Sequence, residues 1–253
     1  MLLEGKTAII TGAASLKGIG WATARVFAEH GARVALLDLD LHRTELAAAE
    51  LPAASSGAHL ALACDVRDPQ LCRQAVEQAL ATFGQVDILI NNAGVSQPHR
   101  LMDSSEDDYD LVMDVSLRGA FNMSRALVPH LRERRSGAIV CMGSVAAQRG
   151  GGILGGPHYA AAKGGVQALA KAMARELAAD SIRVNAIAPG LVETELLIGK
   201  LTDHGRAAAI NGTPLGRLAL PVDIANACLF LACGLASYVT GVVLDVNGGL
   251  HIH

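Results

Sequence analysis

Short runs rich in Val, Ile and Leu alternate with longer helical stretches along the whole chain, and this alternation limits the fold more than any other feature. The runs are Thr7–Ile10, Arg33–Leu37, His59–Ala63, Val86–Ile90, Gly137–Met142, Ile182–Ile187 and Val242–Val246. Between them the sequence predicts helices over Gly18–His30, Leu41–Leu51, Pro69–Phe83, about Glu106–Arg134, about Tyr159–Ala178 and Val222–Cys233. Gly31 and Gly84 stand where C-terminal caps are needed, and Asp68-Pro69 opens the third helix. Strand and helix alternating at this spacing indicate βαβ units with right-handed crossovers. Seven strands in one rhythm predict an α/β fold: a doubly wound, parallel, seven-stranded sheet with helices on both faces.

A length of 253 residues without a linker suits one domain over 1–253, with an excursion at about 195–218 standing outside the rhythm. Aromatic residues make up only 3%, so the core must be packed by Ala, Val, Leu and Ile with backbones close together, as helices on a parallel sheet require. A net charge of −3 without like-charge tails gives no reason to expect a nucleic-acid partner. Cys64, Cys72, Cys141, Cys228 and Cys233 are scattered without a CxxC pair and read as buried thiols in a reducing compartment. His251 and His253 at the chain end read as solvated, and no metal is expected. No signal peptide is expected from the acidic start Met1-Leu2-Leu3-Glu4, and no membrane span from any apolar run, so the expected address is the cytoplasm.

Chemistry enters at the turns. Thr11-Gly12-Ala13-Ala14-Ser15-Leu16-Lys17-Gly18-Ile19-Gly20 joins the first strand to the first helix. Glycines there permit a tight turn and let backbone amides approach a pyrophosphate at a helix N-terminus, as in the Rossmann dinucleotide site. Asp38, at the end of the second strand, can accept from both hydroxyls of an adenosine ribose and would repel a 2′-phosphate. Its alternative reading is a helix-capping carboxylate. Tyr159 and Lys163 share one helical face at i, i+4. An ammonium beside the phenol and a positive nicotinamide favour phenolate, so Tyr159 can exchange a proton with an alcohol or alkoxide. Ser144, just after the fifth strand, offers a hydroxyl to the substrate oxygen. Thr11, Asp38, Asp65, Asn91, Ser144 and Pro189 all fall at the carboxyl ends of strands, where ligands bind in parallel sheets.

With its TG…GIG loop, Asp65-Val66, Asn91-Asn92-Ala93-Gly94, Ser144, the YxxxK pair Tyr159/Lys163, Pro189-Gly190, Tyr238-Val239-Thr240-Gly241 and Asn247-Gly248-Gly249, the chain resembles the single-domain branch of the short-chain dehydrogenase/reductase family over essentially its whole length. The resemblance implies that Ser144, Tyr159 and Lys163 are the catalytic set, with Tyr159 as acid/base and Lys163 binding the nicotinamide ribose. It implies cofactor contacts from Gly12, Ser15, Lys17, Gly18, Ile19, Gly20, Asp38 and Leu39. Asp65 and Val66 would hold the adenine, and Asn91, Asn92, Ala93 and Gly94 the adenosine side. Ile187, Pro189, Gly190, Val192 and Thr194 would position the nicotinamide. It also implies a homotetramer built on the helices 106–134 and 159–178.

Three departures from the family pattern stand out. The glycine loop is two residues longer than usual, so Leu16-Lys17 should bulge outward. Ser116 replaces a helix-kinking asparagine that anchors a water linking the lysine to solvent. Ser144 precedes Tyr159 by fifteen residues, two more than usual, the extra length falling in the glycine-rich loop 150–156.

Asp38 with apolar Leu39 favours NAD. Lys17, just before Gly18, stands where NADP-preferring relatives often carry a base; the direct opposition of Asp38 to a 2′-phosphate decides for NAD. His99 and Arg100 read as rim residues, while Gln148, Arg149 and His158 are candidates for substrate contact, and Asp245 is structural. The reaction expected is hydride transfer between nicotinamide and a ketone or secondary alcohol: a sugar alcohol, hydroxyacyl thioester, steroid or cyclic diol. Leu196, Leu197, Ile198 and Leu201 suggest an apolar lid, favouring a moderately apolar substrate. The alternatives are an NADP-preferring reductase of 3-oxoacyl thioesters or ketones, and a non-catalytic, cofactor-sensing binding protein, which the presence of Ser144, Tyr159 and Lys163 disfavours. A sugar epimerase or dehydratase of the related, longer family is disfavoured, because the short C-terminal part leaves no room for a second substrate domain.

Overall fold

The computed structural model describes every residue except 55, 56, 153, 154 and 198–200. Its seven strands are β1 (Thr7–Thr11), β2 (Arg33–Asp38), β3 (Leu60–Ala63), β4 (Ile88–Asn91), β5 (Gly137–Met142), β6 (Ile182–Pro189) and β7 (Val243–Val246). They form one sheet in the order β3-β2-β1-β4-β5-β6-β7, with every adjacent pair parallel. The chain leaves β1 toward β2 and later returns to β1's other side with β4, so the strand order reverses there and opens a crevice at the carboxyl ends.

The helices are α1 (Ile19–Glu29), α2 (Leu41–Ala49), α3 (Pro69–Phe83), α4 (Glu106–Met113), α5 (Gly119–Arg134), α6 (Ala146–Arg149), α7 (Pro157–Leu177), α8 (Asp203–Asn211) and α9 (Pro221–Ala232). Alternate residues of each strand point to opposite faces, and two cores result. Ile10, Leu36, Ile90, Val140 and Ile187 pack against Phe27 of α1 and Ile224 and Leu231 of α9. Ile9, Leu37, Leu89, Ile139 and Val184 meet Val76 of α3, Leu127 and Leu131 of α5, and Val166 of α7. Leu127 is fully buried, and truncating such a leucine to alanine costs about 2–5 kcal/mol.

Several helix limits follow from local chemistry. Asp68 accepts from the amides of Gln70 and Leu71 and Pro69 occupies the first turn, while Gly84 ends α3 at φ +79°. Ser105 and Asp108 form a reciprocal capping box at the start of α4.

One expectation needs correction, and two gain detail. The stretch 106–134 is not one α-helix: residues Asp114–Arg118 wind as a π-helical turn between α4 and α5, with Ser116 buried inside it. The excursion after β6 holds a 3-10 turn at Glu195–Leu197 and the helix α8. Its ends are tied at the base, where Val192 bridges Ala219. Of the leucines assigned to a lid, Leu197 and Leu201 pack with Ala209 and Leu218 inside the excursion, Leu196 faces the cleft described below, and Ile198 lies outside the described residues.

Candidate active site

Close backbone approach shapes the first turn. Gly12 adopts φ +65°, and a Cβ there would stand 2.8 Å from the Cα of Ala93; one on Gly20 would stand 2.3 Å from the carbonyl oxygen of Gly12. Only glycine fits either position. Asn92 staples the turn to β4, its Nδ2 donating to the carbonyls of Thr11 at 2.8 Å and Gly12 at 2.9 Å. Leu16 and Lys17 are exposed, the outward bulge that the longer loop implied. Lys17, expected as a cofactor contact, borders neither cavity described below. Gly20 also borders neither cavity, and its lack of a Cβ is what lets α1 pack against the Gly12 carbonyl.

Two adjoining cavities line the carboxyl ends of the strands, sharing Asn92, Gly94 and Val95. The first, about 300 Å³, is bordered by Gly12, Asp38, Leu39, Asp65, Val66 and Ala93. Asp38 is not a helix cap: Asp40 fills that role for α2 by accepting from the Arg43 amide. The Asp38 carboxylate instead accepts from the amides of Ala14 at 2.9 Å and Leu39 at 2.8 Å, and each oxygen keeps a further lone pair for a ribose hydroxyl. Asp65 is clamped by the Arg67 guanidinium at 2.6 Å, which holds its carboxyl below the usual range. Asn122 of α5 fixes this turn by donating to the carbonyls of Val66 at 2.9 Å and Arg67 at 3.1 Å. Asn91 turns away from the cavity to donate to Ser124 Oγ; it is a structural residue, and Asn92 takes the bordering position.

The second cavity, about 320 Å³, brings together Ser15, Gly18, Ile19, Ser144, Tyr159, Lys163, Pro189, Gly190, Val192 and Thr194, with Met142, Leu191 and Leu196 adding apolar surface. Ile187 is fully buried beneath them. Ser144 Oγ accepts from the Ala146 amide at 3.1 Å, and Gln167 Nε2 holds the Ser144 carbonyl at 3.0 Å. The Ser144 hydroxyl and the Tyr159 phenol line the same cleft. Burial raises the Tyr159 pKa above its ordinary value and the Ser144 hydrogen bond opposes the rise. The neighbouring lysine therefore does not by itself yield the depressed phenol expected from sequence: its nitrogen lies 5.8 Å from the ring centroid. Lys163 is buried and donates to the Met142 carbonyl at 2.7 Å. Loss of hydration pushes its pKa down to about 8.

The other candidates are placed elsewhere. His99 pairs with Asp108 at 3.1 Å, and Gln97 donates to the same carboxylate. His158 is buried with its Nδ1 3.4 Å from Ser104 Oγ. Gln148 donates to Asp245, which also pairs with His253, and Arg149 holds the Leu250 carbonyl. None of these borders the Tyr159 cavity. Among the described residues no group of three or more His, Cys, Asp or Glu is placed to hold a metal, and no helix is long and apolar enough to cross a membrane.

Sequence reasoning missed Arg67, Asn122, Gln167 and Glu195. The last accepts from Ser15 Oγ at 2.8 Å and faces Arg43 at 3.5 Å, closing the excursion onto the glycine loop. A polar residue on the core-facing side of a helix was the available signal for Asn122; none marked Glu195.

The two joined cavities, the glycine cradle and the spare acceptors of Asp38 fit an extended dinucleotide. Known proteins resemble the chain over nearly its whole length. A family model described as enoyl-(acyl carrier protein) reductase matches residues 12–251. The chain is 53% identical over 253 residues, 100% of both chains, to an uncharacterized short-chain type dehydrogenase/reductase of Sinorhizobium fredii. It is 40% identical, again across 100% of both chains, to the 3-oxoacyl-(acyl-carrier-protein) reductase FabG of Thermotoga maritima. The crystal structure of 3-ketoacyl-(acyl-carrier-protein) reductase from Brucella melitensis complexed with NADH matches with a TM-score of 0.89 at 39% identity, over 99% of this chain and 100% of that one.

Proposed function

The chain belongs to the short-chain dehydrogenase/reductase family, and from that premise we propose that it reduces the ketone of a 3-oxoacyl thioester, or a ketone of similar shape, with NADH. The observation that carries this reading is the convergence of Ser144, Tyr159 and Lys163 in one cleft whose far end presents the Asp38 carboxylate.

Bound NADH would supply the hydride to the carbonyl carbon. Ser144 Oγ–H and the Tyr159 hydroxyl donate to the carbonyl oxygen, and Tyr159 passes its proton to that oxygen as it becomes an alkoxide. A phenol kept protonated by burial suits this reductive direction. Lys163 spends one N–H on Met142 and keeps two for the nicotinamide ribose. Val95, Met142, Leu191 and Leu196 offer an apolar wall to an acyl chain.

NADH is favoured over NADPH because the Asp38 carboxylate meets the ribose edge, where a 2′-phosphate would lie against like charge. The likeness to a reductase complexed with NADH supports the choice. We read the segment around α8 as a lid over the cleft, its base tied by the Val192–Ala219 bridge, and the assembly as a homotetramer formed through α4, α5 and α7, a state that light scattering on the purified protein tests directly.

The activity test is NADH oxidation with acetoacetyl-CoA, a panel of simple ketones and a trans-2-enoyl thioester. Turnover of the oxoacyl thioester and not of the enoyl compound is the expected outcome. Selective turnover of the enoyl substrate, or none with any carbonyl, overturns the reading.

A further inference from the structure

The start of α1 and the excursion after β6 meet through a carboxylate. Gly18 stands before α1 and brings no side chain to its first amides, and no acidic residue follows in the first turn. Gly18 and Ile19 border the cleft, so the positive end of the helix is open on that side. The Gly18 amide closes onto the Ser15 carbonyl at 2.8 Å, and a Cβ on Gly18 would stand 3.5 Å from Ser15 Oγ. The serine hydroxyl therefore lies beside the helix start. Glu195 reaches this spot from the excursion. Its Oε2 accepts from Ser15 Oγ at 2.8 Å and stands 3.5 Å from Arg43 Nη2 of α2. Among the described residues that line the cleft, Glu195 is the one carboxylate. Its neighbour Glu193 is turned instead to Arg206 of α8.

A helix start without a capping side chain, next to a hydroxyl donor, is a seat for an anion. We propose that Glu195 stands in for the cofactor's pyrophosphate in the free chain: it gives up Ser15 when the dinucleotide enters and reclaims it when the dinucleotide leaves. This rests on reading the cleft as a dinucleotide site.

Two features make the exchange a competition. Ser15 Oγ has a single proton and donates it to the carboxylate or to a phosphate oxygen, not to both. A pyrophosphate at the helix start would also lie against the negative charge of Glu195, which Arg43 offsets only in part. The side chains of Glu195 and Arg43 are 48% and 56% exposed, so water and salt screen both the pair and the repulsion. The carboxylate therefore trims cofactor affinity without blocking the site. Glu195 shares its 3-10 turn with Leu196, which lines the same cleft, so the cofactor's arrival is felt on the wall offered to the substrate.

The test is the Kd for NADH of the full chain, measured by isothermal titration calorimetry. Glu195→Gln keeps an acceptor for Ser15 and removes the charge. At about 50 mM NaCl its Kd should be about three- to fivefold lower than the parent's, the scale of one exposed charge interaction, and the difference should fade toward about 500 mM. Glu29→Gln removes the same charge from the other end of α1 and should leave the Kd unaltered. Equal affinity of parent and Glu195→Gln at low salt, weaker binding by that variant, a gain that salt does not reduce, or the same gain in Glu29→Gln each overturns the inference while leaving the dinucleotide reading in place. Absence of NADH binding by parent and variants alike overturns the dinucleotide reading, and the inference with it.

Discussion

The ammonium of Lys163 donates to the carbonyl oxygen of Met142 at 2.7 Å, which fixes the side chain between the end of β5 and the cleft. Held there, the charge is stripped of water, and its pKa falls from 10.5 to about 8. In the unfolded chain the same group keeps its proton to the ordinary value, so between about pH 8 and 10.5 the unfolded state binds more protons. Stability contributed by this group therefore rises with pH through that window, and the full penalty of a few kcal/mol applies below it. Lys163→Met removes the penalty. Melting curves of both proteins without cofactor at about pH 7.5 and about 9.5 should show the variant's stability advantage shrinking as pH rises; parallel behaviour at the two pH values would contradict a buried, depressed ammonium.

Tyr159→Phe keeps the ring and deletes the proton that ends in the alkoxide. A positioned acid contributes about 10²–10⁴-fold, so kcat should fall within that range while NADH affinity, measured by fluorescence titration, stays close to that of the parent. A variant that turns over at the parent rate would remove Tyr159 from the mechanism.

Asp38→Ser tests the cofactor choice. The hydroxyl preserves one acceptor near the Ala14 and Leu39 amides but carries no charge to oppose a phosphate or to bind both ribose hydroxyls. The ratio of kcat/KM for NADH to that for NADPH should drop about a hundredfold, the scale of one or two charge-assisted hydrogen bonds. A parent enzyme that already prefers NADPH would refute the NADH reading before any variant is made.

The order of strands and helices was legible because every buried strand had to be an apolar run and every crossover an amphipathic stretch. The site was legible where backbone geometry allows one residue type, as at Gly12, or where a functional group stands at a strand end, as at Asp38 and Ser144. What escaped was set by tertiary contact. Asp87 looks like part of a strand beginning at Val86, yet the Val86 amide is spent on His130 and β4 starts at Ile88. The limits of α8 escaped, for Ala209 is the one buried residue of the helix and no apolar stripe marks where it starts and ends. The raised Tyr159 pKa depends on burial of the phenol, which no spacing of Tyr and Lys reveals.

Ser116 joins both kinds of information. The sequence marks it as a replacement for asparagine, and the structure puts it in the π-helical turn with its hydroxyl buried and without a hydrogen-bond partner among the described residues. A Cβ built on Gly94 would stand 3.1 Å from Lys163 Nζ and 3.4 Å from Ser116 Oγ, so the two polar atoms flank the same small space. A buried hydroxyl without a partner carries an uncompensated desolvation cost, so Ser116→Ala should keep or raise the melting temperature. If the hydroxyl helps Lys163 exchange protons with solvent, the same substitution lowers kcat about tenfold, or ~1.4 kcal/mol in barrier, leaves KM for NADH unaltered and enlarges the solvent isotope effect. Ser116→Asn, restoring the family's usual residue, should recover the rate. Unaltered kcat in Ser116→Ala would instead place the proton path elsewhere in the cleft.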